Sequence, residues 1–279
     1  MTTLYVSDMD GTLLDDKSRV SAESARIISG LSRRGALITV ATARTPATVE
    51  PLLADTYTSI PAIVMTGASF WDREHRCYLE PHFIEPDVAG QIRSIARENG
   101  IRPFVYTLGD DNVLNVYKDS PLSELDKRFI NERTGLPLKR FIIDSPESAS
   151  LAGKRTMLMF AAGPKDMIGH TAEELRRRVE CSAGNYLDIF DSSVGYLDVY
   201  ASGINKADAV RRLASKLGAG RVVVFGDNLN DIPMMKVADL AVAVDNALPE
   251  VKSMAHRVIG PNTADSVARF IADDFDGLQ

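Results

Sequence analysis

Short apolar runs alternate with helical patterns at both ends of the chain. Residues 4–7 form a compact apolar run that predicts a strand. Over 21–34, Ala25, Ile28 and Leu31 recur at helical spacing, and Gly35 is placed to stop the helix. A second strand is predicted over 36–41, a helix over 47–54 and a third strand over 62–65. The rhythm returns late in the chain. A helix over 205–217 is followed by the breakers Gly218 and Gly220, then by the strand pattern Arg221-Val222-Val223-Val224-Phe225. Ile232, Met235 and Val237 mark another helix. A strand over 240–244, a helix over 249–255, a short strand over 256–259 and a closing helix complete the series. Strands alternating with helices predict an α/β fold, a Rossmann-like doubly wound parallel sheet covered on both faces.

The middle of the chain reads differently. From about 83 to 193 the gaps lengthen, prolines interrupt the patterns and the two periods mix. Helices are predicted over 91–99 and 173–179, and strands over 113–117, 156–160 and 186–190. These runs fit an α+β insert. The expected organisation is a discontinuous core domain, 1–83 with 194–279, split by an inserted cap domain over 84–193.

Composition narrows the class. Hydrophobic residues at 45% and charged residues at 25% are ordinary globular usage, which excludes a disordered, collagenous or disulfide-scaffold chain. Lys+Arg 32 against Asp+Glu 38 leaves a formal charge of -6, which removes the usual electrostatic support for nucleic-acid binding. No apolar run approaches the roughly 18 residues of a membrane helix. The N-terminus carries no basic segment and Asp8 interrupts its apolar stretch, so no signal peptide is expected. Cys77 and Cys181 lie far apart with no Cys-x-x-Cys spacing. The default expectation is a soluble cytoplasmic protein without a nucleic-acid or membrane partner.

Chemistry collects where the apolar runs end. The first strand runs into Asp8-Met9-Asp10-Gly11-Thr12, the second reaches Thr42, and the run at 221–225 enters Gly226-Asp227-Asn228-Leu229-Asn230-Asp231. An open parallel sheet binds ligands beyond the carboxyl ends of its strands, so three separated segments deliver polar groups to one edge. Asp8 and Asp10 are two positions apart and project to the same side of extended chain, and Gly11 permits a sharp turn or a close approach. Clustered carboxylates repel one another unless a proton or a cation compensates. Asp and Asn oxygens without His or Cys suit a hard cation, and few-carboxylate sites suit Mg²⁺, which shares its remaining positions with water and substrate phosphate. Thr42 can donate a hydroxyl hydrogen bond to that phosphate, and Lys206, at the start of the 205–217 helix, can supply positive charge. The constellation matches phosphoryl transfer, for which a carboxylate nucleophile splits the reaction into two steps.

The same residues carry a family resemblance. Asp8-x-Asp10-Gly11-Thr12-Leu13-Leu14 resembles the first motif of the haloacid dehalogenase-like hydrolases. Thr42, Lys206 and Gly226-Asp227-x-x-Asn230-Asp231 resemble the second, third and fourth, in order. With a large insert between motifs two and three, essentially the whole chain is similar to the Cof-type phosphatases. The resemblance implies Asp8 as the nucleophile and a Mg²⁺ ligand. It implies Asp10 as the acid/base, its main-chain carbonyl on the metal. Thr42, Ala43 in the same phosphate loop, and Lys206 would hold the phosphoryl group, and Lys206 would also offset the charge of Asp8. Asp227 would complete the protein ligands of Mg²⁺, with Asn230 and Asp231 orienting the metal site. Two positions depart from the pattern. Ala43 stands where similar proteins usually carry Gly, and Thr66-Gly67-Ala68 where they usually carry Asn-Gly-Ala.

Other chemistry-bearing residues read as structure. His75, His82, His170 and His256 show no metal-ligand spacing. Arg176-Arg177-Arg178 follows Glu173-Glu174 on a predicted helix and reads as a salt-bridged face. Trp71, Tyr106, Tyr117, Met234 and Met235 read as packing residues, and Arg44 as either a substrate contact or one half of a surface ion pair. The expected function is Mg²⁺-dependent hydrolysis of a small phosphate ester, such as a sugar phosphate, through an aspartyl-phosphate. A phosphomutase with the same nucleophile and a non-catalytic phosphometabolite sensor stay open.

Overall fold

A computed structural model describes residues 2–144, 153–187 and 191–278. The first stretch holds β1 (Thr3–Ser7), α1 (Ala22–Arg33), β2 (Leu37–Val40), α2 (Pro46–Leu52), β3 (Ala62–Val64), β4 (Ser69–Asp72) and β5 (Cys77–Leu79). The middle holds α3 (Pro86–Glu98), β6 (Phe104–Leu108), β7 (Leu114–Lys118), α4 (Glu124–Arg133), β8 (Lys139–Ile143), β9 (Thr156–Pro164), α5 (Lys165–Arg178), β10 (Cys181–Leu187) and β11 (Val194–Ala201). The last stretch holds α6 (Lys206–Leu217), β12 (Arg221–Gly226), α7 (Ile232–Met235), β13 (Leu240–Ala243), α8 (Pro249–Met254), β14 (Arg257–Val258) and α9 (Ser266–Gly277). These elements form two compact units, Met1–Glu80 with Asn205–Gln279, and Pro81–Ile204.

The first unit is built on a five-stranded parallel sheet in the order β14-β13-β12-β1-β2. All five positions of β1 are buried, as a central strand covered on both faces requires. The chain passes from β1 to β2 on one side and later returns as β12 on the other, so the strand order reverses at β1. That reversal opens a crevice at the carboxyl ends of β1 and β12. Helix α1 starts where the Ser21 hydroxyl accepts the Ser24 N–H at 2.9 Å and ends against Gly35, whose φ of +95° is a glycine conformation. Beyond β2, a single parallel bridge from Ala41 to Ile63 attaches β3, which continues into the antiparallel strands β4 and β5. This β4–β5 extension has no counterpart in the predicted alternation. The predicted helix marked by Ile232, Met235 and Val237 reduces to the one-turn α7, which starts at Ile232 and ends before Val237.

The second unit is a six-stranded sheet in the order β10-β11-β9-β6-β7-β8, antiparallel except for the β7–β8 pair. It is the α+β insert the sequence pattern predicted. Ile92, Ile95, Ile168, Ala172 and Leu175 of α3 and α5 pack with Val105, Met159, Leu197 and Val199 in one core. Alternation along the strands sends Phe104, Phe160 and Asp198 to the opposite face, where Phe129 of α4 stacks on Phe160 at 4.7 Å. β11 pairs with β9 and β10, so Val194–Ala201 lies in this unit. The unit therefore runs to Ile204, where the sequence placed its end at 193. Of the strand predicted over 186–190, Tyr186 and Leu187 close β10, and 188–190 lie outside the described residues. Among the described residues, no helix is long and apolar enough to cross a membrane.

Candidate active site

The register of the central strands places the first polar residues. The Asp8 N–H donates to Phe225 O at 3.0 Å, so the pairing of β1 with β12 carries one residue past the strand end and leaves Asp8 at the mouth of the crevice. The chain then turns tightly through Gly11, at φ +75°. A Cβ on Gly11 would stand 2.4 Å from Asp227 Oδ2, closer than any side chain tolerates, so glycine is what lets this turn lie against Asp227. Asn246 Nδ2 donates to the Gly11 carbonyl at 2.7 Å, and Thr12 Oγ1 donates to Asp227 Oδ1 at 2.7 Å.

Lys206 enters from the first turn of α6, whose N-cap Asn205 accepts the Asp208 N–H at 2.9 Å. Gly67 packs against that turn, and a Cβ there would lie 2.7 Å from both Asn205 O and Ala209 Cβ. The Lys206 side chain is fully buried. Its Nζ donates to Asp8 Oδ1 at 2.5 Å and to Asp231 Oδ1 at 2.7 Å. The other oxygen of Asp231 accepts the N–H groups of Asp227 and Asn228 at 3.0 and 3.1 Å. Asp231 thus closes the loop after β12 on itself and anchors the lysine at once.

Charge is concentrated here. Burial alone favours a neutral Lys206, but Asp231 and Asp8 outweigh it and hold the ammonium above its ordinary pKa. Burial also raises the Asp8 carboxyl well above the usual carboxylate range, with Asp231 adding to the rise and Lys206 opposing it. Burial pushes the Asp227 carboxyl up to about 6, against the lowering effect of the Thr12 hydroxyl. One ammonium therefore faces three carboxylates, of Asp8, Asp227 and Asp231, each of which offers an oxygen within 4.8 Å of the others. Asp231 has its donors already. Among the described residues, Asp8 Oδ2 and Asp227 Oδ2 accept no protein hydrogen bond. An oxygen-only donor set with an excess of negative charge fits a hard divalent cation.

Asp10 is exposed, and both its oxygens are taken by Arg44: Nε donates at 2.7 Å and Nη2 at 2.5 Å. Of the two sequence readings of Arg44, the structure therefore gives the ion pair. Thr42 is buried, and its hydroxyl accepts the Arg44 N–H at 3.1 Å, which leaves the hydroxyl proton free to donate elsewhere. Ala43, between them, is half-buried on the same loop. Thr66 takes a left-handed conformation, φ +58°, which a β-branched residue adopts at greater cost than Asn. Asn230 is exposed and stands apart from the hydrogen bonds that tie Asp227, Asp231 and Lys206 together. The sequence missed Asn246, which carries no motif spacing, and the clamp from Asp231 to Lys206, which needs the fold to bring positions 206 and 231 together. Thr12 is legible in the sequence only as part of the first motif.

The remaining readings fall into place as structure. Trp71 is buried, and its Nε1 donates to Glu50 Oε1 at 2.6 Å. Arg177 and Arg178 pair with Glu174 on α5, and Arg178 pairs also with Glu98. Cys77 and Cys181 are free, half-buried thiols.

The chain is similar to known proteins over nearly its whole length. The pattern of the haloacid dehalogenase-like hydrolase family matches residues 5–271. A 5-amino-6-(5-phospho-D-ribitylamino)uracil phosphatase of Bacillus subtilis is 28% identical over 271 residues, covering 96% of this chain and 94% of its own. The pyridoxal phosphate phosphatase of Escherichia coli is 28% identical over 276 residues, covering 97% and 98%. The crystal structure of a haloacid dehalogenase-like hydrolase from Bacteroides thetaiotaomicron superposes with a TM-score of 0.77 at 21% identity, covering 99% of this chain and 100% of that one.

Proposed function

The chain belongs to the haloacid dehalogenase-like hydrolases, and on that premise we propose that it is a phosphomonoesterase of small phosphorylated metabolites, working through an aspartyl-phosphate on Asp8. The observation that carries this reading is the buried contact of Lys206 with Asp8, 2.5 Å long, at the crevice where the strand order reverses.

In the first step an oxygen of Asp8 attacks phosphorus, the ester P–O bond breaks, and the Asp10 carboxyl gives its proton to the departing alkoxide. In the second step water attacks the phosphorus of the aspartyl-phosphate, Asp10 takes the proton from that water, and phosphate leaves with Asp8 restored. Lys206 aims the nucleophile and offsets negative charge on the phosphoryl oxygens, while the Thr42 hydroxyl donates to one of them and Ala43 shapes the same loop. Asp231 keeps Lys206 in place through the 2.7 Å contact. Asp8, Asp227 and the Asp10 main-chain carbonyl are the groups that would hold Mg²⁺, with Asn230 on the same loop as Asp227. Mg²⁺, when bound, neutralises charge on the transferring phosphoryl group.

The test is phosphate release from a panel of esters, with Mg²⁺ and with chelator. The panel holds sugar phosphates, pyridoxal phosphate, the ribitylaminouracil phosphate of the Bacillus relative and an aryl phosphate. Metal-dependent release is expected from at least one member, and Asp8→Asn is expected to abolish it without unfolding the protein. No release from any ester with metal bound overturns the reading, and an isomerised sugar phosphate without free phosphate replaces it with a mutase.

A further inference from the structure

Asp10 is turned toward Arg44. Each of its carboxylate oxygens accepts a hydrogen bond from the one guanidinium, at 2.7 and 2.5 Å, so the fork fixes the direction of the carboxylate and offsets its charge. The backbone of Arg44 is fixed, its N–H on the Thr42 hydroxyl and its carbonyl accepting the Met65 N–H at 3.0 Å. Its side chain is not fixed in this way. The two partners are 28% and 53% exposed, so the pair opens into water at little cost. The guanidinium sits on the loop of Thr42, within electrostatic reach of Asp8. A planar fork that matches a carboxylate also matches two oxygens of a phosphoryl group.

Resting on the phosphatase reading above, we propose that Arg44 exchanges partners during turnover, leaving Asp10 for the phosphoryl oxygens held against Asp8 and thereby freeing Asp10 to face the ester oxygen. Arg44 is then a positioning residue for Asp10 as well as a contact for the phosphoryl group. The exchange couples two events: the anion that needs the acid/base is what releases it. It also carries a thermodynamic signature, since part of the affinity for phosphate is spent on opening the ion pair.

Calorimetric binding of inorganic phosphate, with Mg²⁺ present, reads that signature in a double-mutant cycle. Arg44→Ala is expected to weaken phosphate binding roughly 10- to 100-fold, the loss of a charge-assisted fork. Asp10→Ala, and Asp10→Asn as a second variant, are expected to tighten it about twofold to fivefold, because the guanidinium no longer has a competing partner. In the Arg44→Ala background the same Asp10 substitutions are expected to give no gain. If they tighten binding equally in both backgrounds, Asp10 acts by simple repulsion and the exchange is overturned. It is overturned equally if they give no gain in the presence of Arg44. Failure of the underlying reading looks different, since wild-type protein would then release phosphate from no ester and bind none, and the exchange would fall with it.

Discussion

Lys206 Nζ and Asp231 Oδ1 stand 2.7 Å apart, both fully buried, and the remaining oxygen of Asp231 is held by two backbone N–H groups. Every acceptor of this carboxylate therefore faces a donor. Asparagine in its place creates a conflict in either orientation. Its NH₂ must face either the ammonium or the amides of Asp227 and Asn228, and one set of donors loses its acceptor. Asp231→Asn is expected to cost about 2–4 kcal/mol of stability, measured by urea unfolding against wild type. A loss below about 1 kcal/mol, the ordinary range of an exposed pair, would sink this account of the clamp.

The turn through Gly11 makes a sharper case. A methyl group there must displace Asp227, because no room exists at 2.4 Å, and the backbone at φ +75° is costly for alanine besides. Gly11→Ala is expected to leave the sheet intact while raising the Mg²⁺ concentration needed for half-maximal activity at least about tenfold, as perturbed ligand support does elsewhere. A Mg²⁺ titration of the hydrolysis rate checks it. An unchanged activation constant would mean that Asp227 is free to move aside.

How much of this was legible in the sequence depends on the range of the interaction. The alternating strands and helices of the core unit follow from local periodicity, and their ends from Ser21, Gly35 and Asn205 acting within a few residues, whereas β4 and β5 do not. The strands β6, β8 and β11 escaped, since each is defined by partners distant in the chain. Val194–Ala201 joins the second unit by pairing with β9 and β10, which no local pattern announces. At the site, Asp8, Asp10, Gly11 and Asp227 announce themselves as carboxylates and a glycine after apolar runs. Lys206 does not. It is one lysine near one helix start, selected by its order among the motifs. That Arg44 holds Asp10 is a matter of side-chain direction, which spacing does not encode.

Three clustered carboxylates, Asp8 and Asp231 buried and Asp227 half-buried, against one ammonium are an unfavourable set, and a bound cation relieves it. Ligand that binds only the folded protein stabilises it by about 2.7 kcal/mol at a hundredfold excess over its dissociation constant. The melting temperature of the wild-type protein is therefore expected to rise with added Mg²⁺ and to fall back with chelator. Asp227→Asn, which weakens one ligand and relieves part of the repulsion, is expected to melt at the same temperature with and without the metal. Melting curves of wild type that ignore saturating Mg²⁺ would remove the Asp8–Asp227 pair as the metal site.

Asp198 gives an independent test in the second unit. It is buried on β11, and burial lifts its carboxyl to about 7, with hydrogen bonds from the Tyr186 and Tyr200 hydroxyls pulling the other way. In the unfolded chain the same carboxyl titrates near its ordinary value of about 4. Between these pH values the unfolded chain has released the proton and the folded one still binds it. Stability therefore falls as pH rises from about 4 to about 7, and the loss is complete above that. Asp198→Asn keeps the acceptor for the tyrosines and removes the titration. The stability of the variant relative to wild type is expected to grow by about 3 kcal/mol between pH 4.5 and pH 8, read from urea unfolding of both proteins at each pH. Groups common to both proteins cancel in that difference, so a value that stays flat across the range means that Asp198 is already ionised in the folded state, held so by its two tyrosines.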